Sequence, residues 1–251
     1  MNTLLRTYVI HYTKNTDRKI FLTKMFKKEN VSNVVWVEDY DKENVTYEVF
    51  RELFNITESE YVSRQPINFP WSLHKLKPEE VSVSLKHIIT LQSISISDEY
   101  ALVLEDDIIL EENFIEKLNN YISQLPENWE VAFIGQAVDK RIPREELVEN
   151  VNWYKKEWPA DRCADSYLIK KSAANKILSG IVSRGMCFPL DHEYSFWFRE
   201  FNMNVYWLEP PITSQGSQCG IFKTFQDPHS RFYNENFKNI RSDLEELLNG
   251  I

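Results

Sequence analysis

The chain has 251 residues, of which 43% are hydrophobic and 14% aromatic, a composition that excludes a disordered chain and permits one large α/β domain. Its formal net charge of -9 at pH 7 excludes non-specific binding to nucleic acid, because such binding needs an excess of Lys and Arg. A phosphate-bearing ligand would therefore need a metal ion or local positive groups.

The cysteines and the apolar runs of the sequence bear on where the protein resides, and the cysteines favour a reducing compartment. The three cysteines lie far apart and form no CxxC pair, so the sequence indicates neither a zinc site nor a disulfide framework. The N-terminus lacks the apolar segment of a signal peptide, and no run of about 18 apolar residues is present. We therefore expect a cytoplasmic protein without a transmembrane segment.

Strand and helix patterns alternate in the first half of the chain. A strand over 8–12, a helix over 17–28 and a strand over 34–37 predict a β-α-β unit with parallel strands. Residues 41–78 predict a surface excursion or lid with a short helical pattern over 47–54, and we expect acceptor or lid contacts within 62–78. A helix over 79–96 then leads into the next strand.

The second half continues the alternation with less regular spacing. The patterns predict a strand over 130–135, a polar segment over 139–156, and a strand over 167–170. A helix over 172–183 with Ser172 as its N-cap, a helical run over 192–201, an apolar segment over 205–208 and a C-terminal helix over 234–248 follow. No repeat or flexible linker divides the chain.

An apolar run that ends in three carboxylates is the most informative feature of the sequence. Residues 101–104 fit a strand buried on both faces, and Glu105, Asp106 and Asp107 follow directly. Adjacent like charges repel each other, and a divalent cation such as Mg²⁺ or Mn²⁺ with oxygen ligands relieves the repulsion. The same residues are also typical of a solvated acidic turn before a helix, so both interpretations remain open.

The order and spacing of several short motifs resemble glycosyltransferase family 25 over about residues 7–226. In chain order, the motifs are Tyr8-Val-Ile-His-Tyr12 with Asp17-Arg18, Ser84-Leu-Lys-His87, Ala101-Leu-Val-Leu-Glu-Asp-Asp107, Phe133-Ile-Gly135, Ser166-Tyr-Leu-Ile-Lys170, Pro189-Leu-Asp191 and Glu209-Pro-Pro211. The family contains bacterial lipooligosaccharide galactosyltransferases and the transferases that act on collagen hydroxylysine. The resemblance implies an α/β protein with a GT-A fold and a mixed central sheet. It also implies a single domain with a Rossmann-like nucleotide-binding half (1–110), an acceptor half (111–233) and a C-terminal helix (234–251).

The implied activity is a metal-dependent, inverting transfer of galactose or glucose from a UDP-sugar to a glycan or hydroxylysine-type acceptor. The three carboxylates stand where the family's DXD-type motif for Mn²⁺ or Mg²⁺ belongs. The resemblance implies that Asp107 binds the metal directly and that Asp106 shares the metal or fixes the ribose. Glu105 is expected to support these ligands. His229, in the C-terminal segment, is a candidate for an additional metal ligand.

A late carboxylate is expected to act as the base. The family pattern places it after a proline at the start of a helix, and Asp191 occupies that position. Such a residue would take the proton from the acceptor hydroxyl. Asp is also a frequent helix cap, so the sequence leaves the base and the cap interpretations open. Glu193 is the nearest substitute for the base.

The remaining donor-binding candidates lie around the first two strands and on the helix before the acidic strand. Tyr12, Thr13 and Arg18 follow the first strand, where an arginine could meet the diphosphate, although basic helix faces are usually only solvated. Asp39 follows the second strand, where open α/β sheets bind ligands, with an ordinary turn as the alternative. His87 matches the family's histidine on the helix before the acidic strand, but a lone helical histidine is also typical of a core residue.

Two other function classes remain. The chain could be a catalytically degenerate GT-A-like binding module in which the acidic residues bind a metal for structure only. A nucleotidyltransferase also uses carboxylates and Mg²⁺, but it would ordinarily need a glycine-rich or basic phosphate loop. The chain has six glycines and no GxxxxGK or GxGxxG element, which weighs against that class.

Overall fold

The computed structural model describes residues 5–54, 64, 76–136, 140–218 and 220–222. Most of the predicted lid, the predicted helix over 234–248 and His229 lie outside these residues. None of the described helices combines the length and the apolar character needed to cross a bilayer.

A seven-stranded mixed sheet forms the centre of the fold, with strand order β2-β1-β3-β8-β5-β9-β7. Its strands, in chain order, are β1 (Thr7–Ile10), β2 (Val34–Val37), β3 (Tyr100–Glu105), β5 (Val131–Phe133), β7 (Trp153–Lys156), β8 (Ser166–Lys170) and β9 (Val205–Leu208). β1 pairs in parallel with β2 and β3, whereas β8 runs antiparallel to β3 and β5. The structure confirms the predicted α/β class, the mixed central sheet and the parallel β-α-β opening.

A second sheet of three short strands lies beside the first. These strands are β4 (Ile108–Leu110), β6 (Gly135–Gln136) and β10 (Thr213–Gln215), in the order β4-β10-β6. The predicted strand over 130–135 is therefore divided at Ile134, because its last residue pairs with β10 and not with the large sheet. The predicted polar segment also contains a strand, β7, which pairs antiparallel with β9.

Besides two 3₁₀ helices at Lys42–Asn44 and Arg144–Glu146, the structure describes six α-helices. They are α1 (Thr16–Lys28), α2 (Tyr47–Phe54), α3 (Pro78–Ser97), α4 (Phe114–Ile122), α5 (Lys171–Arg184) and α6 (Leu190–Glu200). α3 begins with a proline at its first position, which suits a site whose N–H would have no partner within the helix. Lys170 caps α5, so the prediction that Ser172 is the N-cap was wrong: Ser172 lies inside the first turn.

Strand β3 is buried on both faces, as its apolar run predicts. Residues 101–104 are all 0% exposed. Ala101 and Val103 join a core cluster with residues of α3, α5 and α6, whereas Leu102 and Leu104 join a second cluster with residues of α1 and α4. Each fully buried Leu or Val contributes roughly 1.5–3 kcal/mol. The carboxylates that follow β3 are therefore attached to a firmly held strand.

Candidate active site

Asp106 anchors the loop between β1 and α1. Its Oδ2 atom lies 2.9 Å from His11 Nδ1, and its Oδ1 atom accepts a hydrogen bond from Arg18 Nη1 at 2.7 Å. The Tyr12 N–H and Asn15 Nδ2 also donate to Oδ2, at 3.2 and 3.3 Å. Burial alone would raise the pKa of Asp106, but the His11 hydrogen bond and the Arg18 charge lower it. Asp106 is thus an ionised carboxylate that holds the loop in place.

Arg18 lies on the inner face of α1 and not on its solvated face. It is 8% exposed and follows the same helical spacing as the core residues Phe21, Leu22 and Met25. Its guanidinium also approaches Asp107 Oδ2 at 3.8 Å and lies over the ring of Phe222 at 5.3 Å. The arginine that the sequence placed among possible surface charges is therefore part of the acidic site.

Asp107 and Glu105 lack enough positive charge around them. Burial and the charge of Glu105 raise the pKa of Asp107 to about 7, against the lowering effect of Arg18. Desolvation and the charges of Asp106 and Asp191 raise the pKa of Glu105 to about 7 as well. Asp107 Oδ1 is buried without a hydrogen-bond partner, whereas Glu105 Oε2 accepts a hydrogen bond from Gln215 at 3.3 Å.

These two carboxylates fit a divalent cation by their chemistry. Both are hard oxygen ligands at the carboxyl end of a strand, and both have raised pKa values because of desolvation and nearby negative charge. Across the described ranges, no three His, Cys, Asp or Glu side chains are already grouped as a metal site. The fit to a cation therefore rests on the chemistry of the two carboxylates and not on a preformed group of ligands.

Sequence reasoning missed Asp165, which lies directly across from Glu105. The Glu105 N–H donates to the Asp165 carbonyl at 2.8 Å, one step beyond the paired residues Leu104 and Ser166. Burial and then the charge of Glu105 raise the pKa of Asp165 to about 8. The sequence shows a carboxylate just before a predicted strand. This position indicates a residue of the site only when the strand is known to run antiparallel to β3.

A second carboxylate that the sequence did not identify, Asp41, also fixes the β1–α1 loop. Asp41 accepts hydrogen bonds from the Thr13 N–H and from Thr13 Oγ1, and Lys86 Nζ donates to it at 2.7 Å. Lys86 also donates to the His11 carbonyl at 2.6 Å. The loop candidate Tyr12 is half-buried, with its hydroxyl on Glu43 at 2.6 Å, whereas Thr13 and the strand-end candidate Asp39 are exposed.

His87 is a core residue on α3 whose ring lies next to Glu105. Its ring is fully buried, and burial lowers its pKa to about 3, so the ring is neutral. Nδ1 lies 2.9 Å from the Tyr167 hydroxyl, which in turn lies 2.7 Å from the Tyr194 hydroxyl. Nε2 faces Glu105 Oε1 at 3.7 Å. This position suits a residue that orients Glu105 better than one that touches the donor.

Asp191 lies in the first turn of α6 and close to the acidic residues. Its charge raises the pKa of Glu105, and it also acts on Lys140, whose pKa is raised by Asp161 and Asp191 although burial alone would lower it. Pro189 is the N-cap of α6, and Asp191 accepts a hydrogen bond only from the neighbouring His192 N–H, at 2.9 Å, among the contacts of the described chain. The N-cap interpretation of Asp191 is therefore wrong.

Glu193 points into the core, away from the acidic residues. Its side chain is 0% exposed and pairs with the equally buried Arg64 at 3.1 Å. The N–H groups of Cys187 and Phe188 donate to Oε1. Burial raises its pKa to about 7 despite the Arg64 charge. Both carboxylate oxygens are engaged, so the geometry favours Asp191 over Glu193 as the group facing an acceptor.

Comparison with known proteins identifies one matching family. A model of glycosyltransferase family 25, described as an LPS biosynthesis protein, matches residues 4–192. No curated protein is similar enough in sequence to count as a match.

Three solved structures illustrate the structural similarity. The galactosyltransferase LgtC in complex with donor and acceptor sugar analogs gives a TM-score of 0.48 at 9% identity, over 98% of this chain and 96% of that one. Mouse xyloside xylosyltransferase 1 gives 0.42 at 10% identity, over 81% and 84%. A 4-diphosphocytidyl-2C-methyl-D-erythritol synthase from Anaerococcus prevotii gives 0.41 at 11%, over 86% and 94%. With TM-scores below 0.5, these similarities carry no argument about the activity of this chain.

Proposed function

The chain belongs to glycosyltransferase family 25, and on that premise we propose that it transfers galactose or glucose from a UDP-sugar to a saccharide or hydroxylysine-type acceptor, with the help of Mn²⁺ or Mg²⁺. The observation that carries the proposal is the acidic edge after β3. Glu105 and Asp107 both have pKa values raised to about 7 there, and Asp191 acts on the same edge from α6.

The β1–α1 loop is proposed to hold the nucleotide. It lies at the carboxyl end of β1, next to the end of β3, and open α/β sheets bind ligands at that edge. Asp106 and Asp41 fix the loop from two sides. We propose that the half-buried ring of Tyr12 and the exposed Thr13 and Asp39 contact the uridine, while Arg18 keeps the loop on Asp106.

Asp107 and Glu105 would hold the cation. When bound there, the ion neutralises the negative charge that develops on the departing diphosphate. The proposal is supported by the weak charge compensation of Asp107: Arg18 is engaged with Asp106 at 2.7 Å and reaches Asp107 only at 3.8 Å.

Asp191 is proposed as the base. It would accept the proton of the acceptor hydroxyl as that oxygen attacks the sugar, and a base on the acceptor side is the arrangement of an inverting transfer. The first turn of α6 carries the carboxylate partly exposed, in contrast to the buried Glu193. We also propose a division into a donor half (1–110) and an acceptor half (111–233), with Asp191 in the acceptor half.

Donor hydrolysis tests the proposal. A panel of sugar nucleotides is incubated with the protein in Mn²⁺, Mg²⁺ or EDTA, and released nucleoside diphosphate is measured. We expect release of UDP from UDP-galactose or UDP-glucose with the ions and little release in EDTA. Donor sugars that bind to the protein but release no UDP under any of these conditions would favour the catalytically degenerate binding module.

A further inference from the structure

Asp165 brings a fourth carboxylate to the edge at which β3 ends, from a strand that follows much later in the chain. Because β8 runs antiparallel to β3, the start of β8 meets the end of β3, and Glu105 bonds the Asp165 carbonyl across the two strands. Asp165 is 1% exposed. Directly opposed residues of antiparallel strands have neighbouring side chains, and like charges in such pairs are destabilising.

Three buried polar atoms near this edge have no hydrogen-bond partner. They are Oδ1 of Asp165, Oδ1 of Asp107 and Nε2 of His87, and the last of these is 3.7 Å from Glu105 Oε1. More than nine in ten buried polar groups in native proteins are paired. Three such atoms around one group of carboxylates therefore indicate a partner that the described side chains do not supply.

The two sheets meet around the Asp165 carboxylate and hold it in place. Its Oδ2 accepts a hydrogen bond from Ser166 Oγ at 3.0 Å, and Ser166 Oγ lies 2.6 Å from Thr213 Oγ1. A Cβ atom added to Gly135 would lie 2.5 Å from Asp165 Oδ2 and 2.1 Å from Ser166 Oγ. Glycine at this position therefore gives the carboxylate its space.

A purely structural role explains Asp165 poorly. An asparagine could accept the same hydrogen bond from Ser166 through its amide oxygen without adding charge. The aspartate instead places a further negative charge beside Glu105, with its Oδ1 atom buried and without a hydrogen-bond partner among the described residues. A buried carboxylate oxygen that receives no hydrogen bond, next to another carboxylate, suits a cation better than it suits a hydrogen-bond network.

We propose that Asp165 is a further ligand of the divalent cation and joins Asp107 and Glu105 from the neighbouring strand. The inference rests on the proposed function, which supplies the cation. No three ligand side chains are already grouped in the described part of the chain, so Glu105 and Asp107 would turn toward the Asp165 carboxylate, which Ser166 holds in place. A site shared by two strands would depend on the pairing of β3 with β8.

Direct Mn²⁺ binding without donor tests the inference. The free ion is measured by electron paramagnetic resonance during titration of the wild-type protein, Asp165→Asn, Asp107→Asn and a control, Asp98→Asn. The control removes one carboxylate charge at the opposite end of β3, where Asp98 accepts a hydrogen bond from Tyr8 at 2.7 Å. We expect Asp165→Asn to weaken Mn²⁺ binding at least about tenfold, the lower end of the range seen even for groups that only support metal ligands. Asp98→Asn should change binding little.

The outcomes separate the inference from the proposed function. Unchanged affinity in Asp165→Asn, with affinity lost in Asp107→Asn, would overturn the role of Asp165 and leave the proposed function intact. A wild-type protein that binds no Mn²⁺, with or without UDP, would overturn both. Circular dichroism checks that each variant is folded, and Asp165→Ser serves as a second variant, in which weakened Mn²⁺ binding is again expected.

Discussion

Removing a carboxylate from the acidic site should make the metal-free protein more stable. The pKa of Asp107 is about 7 against an ordinary value of 3.8, a difference of roughly three units, or about 4 kcal/mol at 1.36 kcal/mol per unit. Glu105 and Asp165 share the same repulsion, and protonation of one relieves the others, so Asp107 alone accounts for less. We expect Asp107→Asn to raise the free energy of unfolding by about 1–2 kcal/mol at pH 8 in EDTA, and the melting temperature by about 2–8 °C.

The pH dependence gives the sharper test. The folded-state pKa is raised, so the carboxyl destabilises the fold increasingly between about pH 4 and 7 and to its full extent above pH 7. The gain in Asp107→Asn should therefore be smaller at pH 5 than at pH 8 in chemical denaturation. Asp41→Asn is the matched control: it leaves the buried Lys86 uncompensated and should lose about 3 kcal/mol. A less stable Asp107→Asn at pH 8 in EDTA would refute the reasoning.

Three further predictions concern catalysis, packing and donor binding. Asp191→Asn should keep its stability and its affinity for UDP but lower transfer by about 10²-fold or more in an acceptor assay, and near wild-type turnover would move the base elsewhere. Arg64→Met should lose about 3 kcal/mol in chemical denaturation at pH 8 because it removes the positive partner of the buried Glu193 carboxylate, and an unchanged midpoint would contradict the buried pair. Calorimetric titration with UDP should give much weaker binding in EDTA than in Mn²⁺, because the acidic edge repels a diphosphate. Equal affinity under both conditions would show that the cation takes no part in UDP binding.

Local sequence patterns were sufficient to predict elements that their own residue types and periodicity define. β2 and α2 have the bounds that the sequence predicts. A run of β-branched residues indicates a strand, and apolar residues at helical spacing indicate a helix. The strands of the small sheet were missed, because two or three residues carry no periodicity. β7 was missed as well, since two of its four residues are lysines and only Trp153 is buried.

Side chains from separate elements were harder to bring together by sequence reasoning. The acidic residues after β3 were found because they interrupt an apolar run. Asp165 was not found, because it lies just before a predicted strand. Ligands are expected at the carboxyl ends of parallel strands, and only the antiparallel direction of β8 brings its beginning to the edge where β3 ends. Arg18 could have been placed inside from its spacing with Phe21 and Leu22, but the surrounding lysines concealed that pattern.

The connections within the acidic site also determine when it can form during folding. His11 and Asp106 are 95 residues apart, Glu105 and Gln215 are 110 apart, and β3 acquires its second neighbour only when β8 is available. Contacts between residues so far apart in sequence form slowly, because the chain loses the entropy of loop closure before the contacts stabilise the fold. On the ribosome, β1, β2 and β3 could pair first and would leave one edge of β3 open until β8 emerges. An exposed strand edge followed by three carboxylates is poorly suited to pairing with other chains, so the charges needed for the site would also protect the unfinished sheet from aggregation.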